Sequence, residues 1–244
     1  MIVVEARVAD LDRLNFVIDT GTNPSIIDKN ISDKLKLKGI QRGLSLLNKD
    51  LASETVMLPD LELGLLRRVN LPVMVADFSK IGKGLGIRVD GAIGLDVLGA
   101  TSFTIDYQKN RILFHASPER HSASFAAGPE FITVNLKTGR KELRMLLDTG
   151  TPQFILFSDS LRNLDYDWSA AKGTSQSISG TVAYATIILP GAKLGGEDVG
   201  PQRVSVVASR KSAEANYDGL IGVAFLHPKQ LSFDFDRKIL GWSN

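Results

Sequence analysis

Two aspartates in this chain stand in the same short setting. Asp19 closes the apolar run Asn15-Phe16-Val17-Ile18 and is followed by Thr20, Gly21 and Thr22; Asp148 closes Arg144-Met145-Leu146-Leu147 and is followed by Thr149, Gly150 and Thr151. A carboxylate that leaves a buried strand into a turn is held in a dry, rigid place, and its neighbours can supply hydrogen bonds. Gly21 and Gly150 allow a tight turn and a close approach, because a residue without Cβ tolerates both. Two carboxylates brought within a few ångströms cannot both ionise cheaply, so they share a proton; one then acts as base and the other as acid. Such a pair can activate a water molecule.

A single Asp-Thr-Gly is an ordinary turn sequence. Here it recurs at an offset of 129 (148 − 19), and two further pairs recur at 128 (218 − 90 and 234 − 106). These are Asp90-Gly91-Ala92-Ile93-Gly94 with Asp218-Gly219-Leu220-Ile221-Gly222, and Thr104-Ile105-Asp106-Tyr107 with Ser232-Phe233-Asp234-Phe235. Three landmarks in one order at nearly one spacing mark an internal repeat, and a chain that only needed to reverse direction would not need all three.

Each half must build a scaffold that carries its aspartate. Short β-branched runs open both halves, Ile2 to Val8 and Asn15 to Ile18 in the first, Phe131 to Leu136 and Leu143 to Leu147 in the second, with a turn at Thr138-Gly139. The runs Val69 to Val75, Thr181 to Leu189 and Val204 to Ala208, punctuated by Gly and Pro, extend the pattern. Helix is confined to short turns at Ser32 to Leu37 and Ser158 to Leu164. The expected fold is all-β: two homologous small β-barrel-like lobes, residues 1–117 and 128–244, related by a pseudo-two-fold axis that brings Asp19 to Asp148. Residues 118–127 are the expected linker, within a Ser-, Ala-, Pro- and Gly-rich stretch from His115 to Glu130.

Composition narrows the function classes. The 244 residues include 43% hydrophobic and 23% charged, which is a globular balance, and the net charge of +2 is too small for a phosphate-tracking surface, so no nucleic-acid partner is expected. Cys is absent, which excludes thiolate nucleophiles and thiolate metal sites. His115, His121 and His227 form no metal or hydrolase motif, so no metal and no cofactor are expected. Gly82-Lys83-Gly84-Leu85-Gly86 lacks the ending of a phosphate loop and reads as a flexible loop; Asp106 and Asp234 read as turn or packing residues. No run is long and apolar enough for a membrane span, and the first residues do not form a secretory leader. The location is exported or periplasmic if a leader precedes this sequence, and cytoplasmic otherwise.

The paired Asp-Thr-Gly segments, each followed by an apolar-apolar-Gly element, resemble the pepsin and retropepsin clan of aspartic proteases over both halves. The length and the absence of cysteine are closest to a bacterial retropepsin-like protease with two fused lobes. The resemblance implies that Asp19 and Asp148 are catalytic and that Thr20 and Thr149 exchange hydrogen bonds across the axis. It further implies that Thr22 and Thr151 bond the outer carboxylate oxygens and that Ile93, Gly94, Ile221 and Gly222 thread beside the two loops. Flap-like hairpins fall at Leu46 to Met57 and Ser177 to Thr186; Tyr184 reads as a packing residue rather than a lid. No Arg follows Gly94 or Gly222, unlike the viral enzymes.

The reading is an aspartic endopeptidase in which water held between two carboxylates attacks a peptide carbonyl. An extended peptide or protein is the expected substrate, and the chain is expected to be a monomer whose halves form an intramolecular pseudo-dimer. The rival is a weak or inactive peptide-binding protein that uses the same cleft; a pairing of halves between two chains is the other arrangement.

Overall fold

The computed structural model describes residues 1–46, 49–117, 119–128, 131–177, 180–208 and 216–244. The chain is built mainly of strands, and the first half forms a seven-stranded sheet. Its spatial order is Val3–Val8, Leu11–Ile18, Gly91–Ile93, Ile26–Asp28, Leu66–Ala76, Lys49–Leu63 and Ile40–Leu46. Pairing of Arg7 and Val8 with Glu62 and Leu61 closes six of these strands into a barrel.

The second half repeats that order: Ile132–Thr138, Lys141–Asp148, Gly219–Gly222, Phe154–Phe157, Gln202–Val207, Gly180–Leu189 and Asp167–Ser177. The registers repeat too. Val17 faces Ala92 and Ile26 faces Ala92 in the first half; Leu146 faces Leu220 and Ile155 faces Leu220 in the second. The sequence repeat is therefore a repeat of backbone pairing.

Alternation along the Asp-bearing strands explains why they lie where they do. Phe16 and Ile18, like Met145 and Leu147, enter the main core, whereas Val17 and Leu146 enter smaller clusters on the opposite face, which is the face of the aspartates. Asp90 and Asp218, which open the second repeated landmark, tie each central strand to its neighbour. The Asp90 carboxylate accepts from the Asn15 N–H at 2.8 Å, and that of Asp218 from the Arg144 N–H at 2.9 Å.

The halves are also joined through one sheet. Strand Phe103–Asp106 of the first half pairs with Gln230–Asp234 of the second, each flanked by a strand of its own half, Arg111–Leu113 and Ile239–Ser243, and Phe103 stacks on Phe233 at 4.6 Å between ring centroids. Asp106 and Asp234 each cap a turn, accepting from the N–H of Lys109 and Arg237, three residues on.

Two expectations need correction. The stretch read as a linker forms the strand His121–Ala127, which pairs with Ile239–Ser243 on one side and with Ile132–Thr138 on the other. Its alternation is carried by Ala123 and Phe125, both buried, and Ala-Ser repeats disguise it. The glycine-rich segment read as a loop lies in the helix Ser79–Leu85, which Gly86 ends in the left-handed region at φ 70°. Gly82 is needed there for close packing, since a Cβ would lie 2.7 Å from the Ile87 carbonyl.

The other helical turns lie near the expected ones, at Lys29–Lys34, capped by the Asp28 carboxylate, and Ser158–Leu161; a further short helix covers Leu95–Leu98. Of the hairpins expected at Leu46 to Met57 and Ser177 to Thr186, residues 47–48 and 178–179 lie outside the described residues, and the rest falls mostly on one strand of each, Lys49–Leu63 and Gly180–Leu189, whose partners Ile40–Leu46 and Asp167–Ser177 lie earlier in the chain than expected. Tyr184 packs beside the Leu146 cluster, facing Gly173, where a Cβ would meet its hydroxyl at 2.6 Å. Among the described residues no helix is long and apolar enough to cross a membrane.

Candidate active site

Asp19 and Asp148 emerge from the ends of the two central strands and meet where the halves touch. Each carboxylate first binds its own turn: Asp19 accepts from the Gly21 N–H at 2.8 Å, and Asp148 from the Gly150 N–H at 2.8 Å. Each glycine then packs against the carboxylate of the other half. A Cβ on Gly21 would stand 2.5 Å from Asp148 Cγ, and one on Gly150 would stand 2.4 Å from Asp19 Cγ. No side chain fits in either place, so glycine is required here for approach.

Directly beneath, Thr20 and Thr149 lock the halves together. The Thr20 hydroxyl donates to the Leu147 carbonyl at 2.8 Å and accepts from the Thr149 N–H at 3.1 Å. The Thr149 hydroxyl donates to the Ile18 carbonyl at 2.8 Å and accepts from the Thr20 N–H at 3.0 Å. Both threonines are fully buried, so these four bonds satisfy backbone groups that water does not reach.

The apolar-apolar-Gly elements support the loops from the side. The Asp19 N–H donates to the Ile93 carbonyl at 3.0 Å, and the Leu95 N–H to the Thr22 carbonyl at 3.0 Å. In the second half Asp148 is in register with Gly222, and the Val223 N–H donates to the Thr151 carbonyl at 3.0 Å. Gly94 and Gly222 lie so close to the loops that a Cβ would fall 2.4 Å and 2.3 Å from the carbonyls of Thr22 and Thr151.

The hydroxyls of Thr22 and Thr151 do not reach the carboxylates. Thr22 donates to the Pro24 carbonyl at 3.1 Å, and the Thr151 oxygen accepts from the Gln153 N–H at 3.2 Å. Both stabilise the turn that follows the aspartate, and it is the Thr151 backbone, rather than its hydroxyl, that faces Asp148.

Burial raises both carboxyls above the usual range. At Asp19 the effect of burial is opposed by hydrogen bonds from the Gly21 N–H, from Asp148 and from the Gly150 N–H. At Asp148 the negative charge of Asp19 adds to burial, and this carboxyl is pushed well above its ordinary value. Two carboxyls so placed cannot both ionise cheaply, and the pair holds one proton between them.

An aspartyl protease family profile matches residues 4–97 and, a second time, residues 132–225. The chain belongs to the aspartyl protease family. The two matches correspond to the two halves. A crystal structure of an aspartic proteinase from Irpex lacteus is similar over 99% of this chain and 93% of that chain, with a TM-score of 0.57 and 12% identity, a likeness of fold. No curated protein sequence matches the chain. This aspartyl protease has, among its described residues, no group of three or more metal-ligating side chains placed to hold an ion. His121 lies in another part of the fold, with Nδ1 3.3 Å from Glu197 and its ring stacked on Trp242.

Sequence reasoning missed two residues that support the first loop. Ser25 and Asp96 hydrogen-bond to each other beside it, with the Ser25 hydroxyl donating to Asp96 at 2.6 Å. Neither belongs to the repeat, because Phe154 and Ala224 stand at the corresponding places in the second half. A search guided by duplication passes over them for that reason.

Proposed function

We propose that this aspartyl protease is an endopeptidase that hydrolyses extended peptide segments with Asp19 and Asp148 as its catalytic pair. One observation carries the reading: the two carboxylates meet at the contact of the halves, each pressed against the other half's glycine, a placement in which they share one proton. Ionised Asp19 takes a proton from a water held between them as the water oxygen attacks the peptide carbonyl carbon, while Asp148 gives its proton to the carbonyl oxygen. The tetrahedral diol then collapses. One hydroxyl returns its proton to a carboxylate, the C–N bond breaks, and the leaving nitrogen takes the proton that Asp19 holds, so the pair regains its starting charge. No covalent enzyme intermediate is formed.

An extended substrate suits the architecture, since the strands Ile40–Leu46 and Asp167–Ser177 end their respective sheet orders and leave edges able to pair with a peptide main chain. The chain works as a monomer with lobes 1–117 and 128–244, a reading supported by the Thr20–Thr149 bonds and by the joint sheet. In this arrangement the strand His121–Ala127 connects the lobes.

The test is digestion of a peptide library by wild type, Asp19→Asn and Asp148→Asn, with and without a statine-type transition-state analogue. Wild type should cleave internal bonds and be inhibited, and each variant should lose more than about 99% of kcat/KM. A wild type that binds peptides without cleaving them would establish the rival peptide-binding function.

A further inference from the structure

The two aspartate loops are anchored by different chemistry. The peptide unit between Ile93 and Gly94 is rigid and planar, and it touches the first loop through both of its polar ends. Its carbonyl accepts from the Asp19 N–H at 3.0 Å, and its N–H donates to the Ser25 hydroxyl oxygen at 2.9 Å. That hydroxyl donates in turn to the Asp96 carboxylate at 2.6 Å, and Asp96 also accepts from the Ser25 N–H at 3.0 Å. Ser25 is buried, so its hydroxyl is oriented by Asp96 and not by solvent.

The equivalent peptide of the second half, between Ile221 and Gly222, needs no side chain. The Gly222 N–H donates to the Gln153 backbone carbonyl at 2.8 Å, and Phe154, at the place of Ser25, packs edge-on against Phe225 at 5.2 Å. The symmetry of the fold thus breaks at the support of its two aspartates.

We infer that Ser25 and Asp96 are positioning residues for Asp19, acting through the Ile93–Gly94 peptide. Without the Ser25 hydroxyl, a buried Gly94 N–H loses its acceptor, and the peptide plane is free to rotate toward another one. Rotation carries the Ile93 carbonyl with it, and that carbonyl sets the direction from which the Asp19 backbone enters the turn. The effect falls on the geometry of attack by water rather than on peptide binding, so it appears in kcat and not in KM.

The inference rests on the endopeptidase reading, and one set of measurements separates the two. Steady-state kinetics on one peptide are compared for wild type, Ser25→Ala, Asp96→Ala and Asp96→Asn. Thr104→Val serves as a control: it removes a buried hydroxyl in the sheet that joins the halves, where Thr104 donates to the His115 carbonyl at 2.8 Å. Ser25→Ala and Asp96→Ala should each lower kcat about tenfold or more while KM stays within about twofold. Asp96→Asn keeps an oxygen for both Ser25 donors and should recover most of the loss. Thr104→Val should lower Tm and leave kcat unchanged. The two Asp96 variants leave Ser25 in place and decide the matter if Ser25→Ala does not fold. An active wild type whose Ser25→Ala and Asp96→Ala variants keep kcat within about twofold overturns the positioning role alone. A wild type without turnover overturns the endopeptidase reading, and this inference with it.

Discussion

Replacing Thr149 by Val removes one oxygen and keeps the shape of the side chain. That oxygen serves two buried backbone groups of the opposite half, the Ile18 carbonyl at 2.8 Å and the Thr20 N–H at 3.0 Å, and the residue is fully buried, so no water stands ready to replace it. Each buried group left without a partner costs about 1–3 kcal/mol, so the substitution should cost about 2–6 kcal/mol. Against a total stability of about 5–15 kcal/mol, this is a large fraction. For a chain of this size each kcal/mol corresponds to about 2–4 °C in Tm, so the transition should fall by at least about 4 °C. The assay is calorimetry and urea unfolding of wild type and Thr149→Val, with Thr104→Val as a reference; that hydroxyl also serves two backbone groups, the His115 carbonyl and the Ser117 N–H, but both lie in its own half. Comparable losses in Tm are expected, with a loss of kcat in Thr149→Val alone, because Thr149, unlike Thr104, lies between an aspartate and its glycine. A Tm within about 1 °C of wild type would show that the crossed bonds do not hold the halves, and the account of the site's rigidity would be wrong.

Two further outcomes follow from the dyad. Gly21→Ala should fold yet lose about 100-fold or more in kcat, because its Cβ, 2.5 Å from Asp148 Cγ, displaces that carboxylate by about 1 Å from van der Waals contact alone; steady-state rates and a circular dichroism spectrum check this. Asp148→Asn should be more stable than wild type at neutral pH: a carboxyl whose folded-state pKa is raised contributes its full stability only below its unfolded value of about 3.9 and loses it as pH rises through the folded value, whereas Asn has no such loss. Tm measured from acid to neutral pH should therefore show the two proteins converging at the acid end, and parallel curves would contradict the burial of this carboxyl.

What could be read from the sequence was what the chain states twice. The Asp-Thr-Gly turns, the apolar-apolar-Gly strands and the Asp106 and Asp234 turns each depend on local backbone geometry, and local geometry leaves the same residues in both halves. Features stated once were harder to read. Strand His121–Ala127 takes its pairing from strands on both sides rather than from its own weak β-propensity, and the Ser79–Leu85 helix survives three nearby glycines because Phe78 and Ile81 pack on the Val17 cluster. The Thr22 and Thr151 hydroxyls fall on the correct loops but face the chain ahead of them, since the turn brings a carbonyl or an N–H two residues on into closer reach than the carboxylate. The Ser25–Asp96 pair spans 71 residues of sequence, and nothing local to either residue announces the other.

The sheet that joins the halves also sets the order in which the protein can be completed during synthesis. Thr104 finds its partner in Ser232, and the first half can close its own barrel long before that partner leaves the ribosome. Until then the strand Phe103–Asp106 presents an open edge carrying Phe103 and Ile105, both of which are wholly buried in the finished molecule. An unpaired apolar edge is a template for any passing strand, and pairings so distant in sequence form slowly. The nascent chain is therefore most exposed to misassembly in the interval between making the strand Phe103–Asp106 and making the strand Gln230–Asp234 that shelters it, and a chaperone that covers this edge would act in that interval.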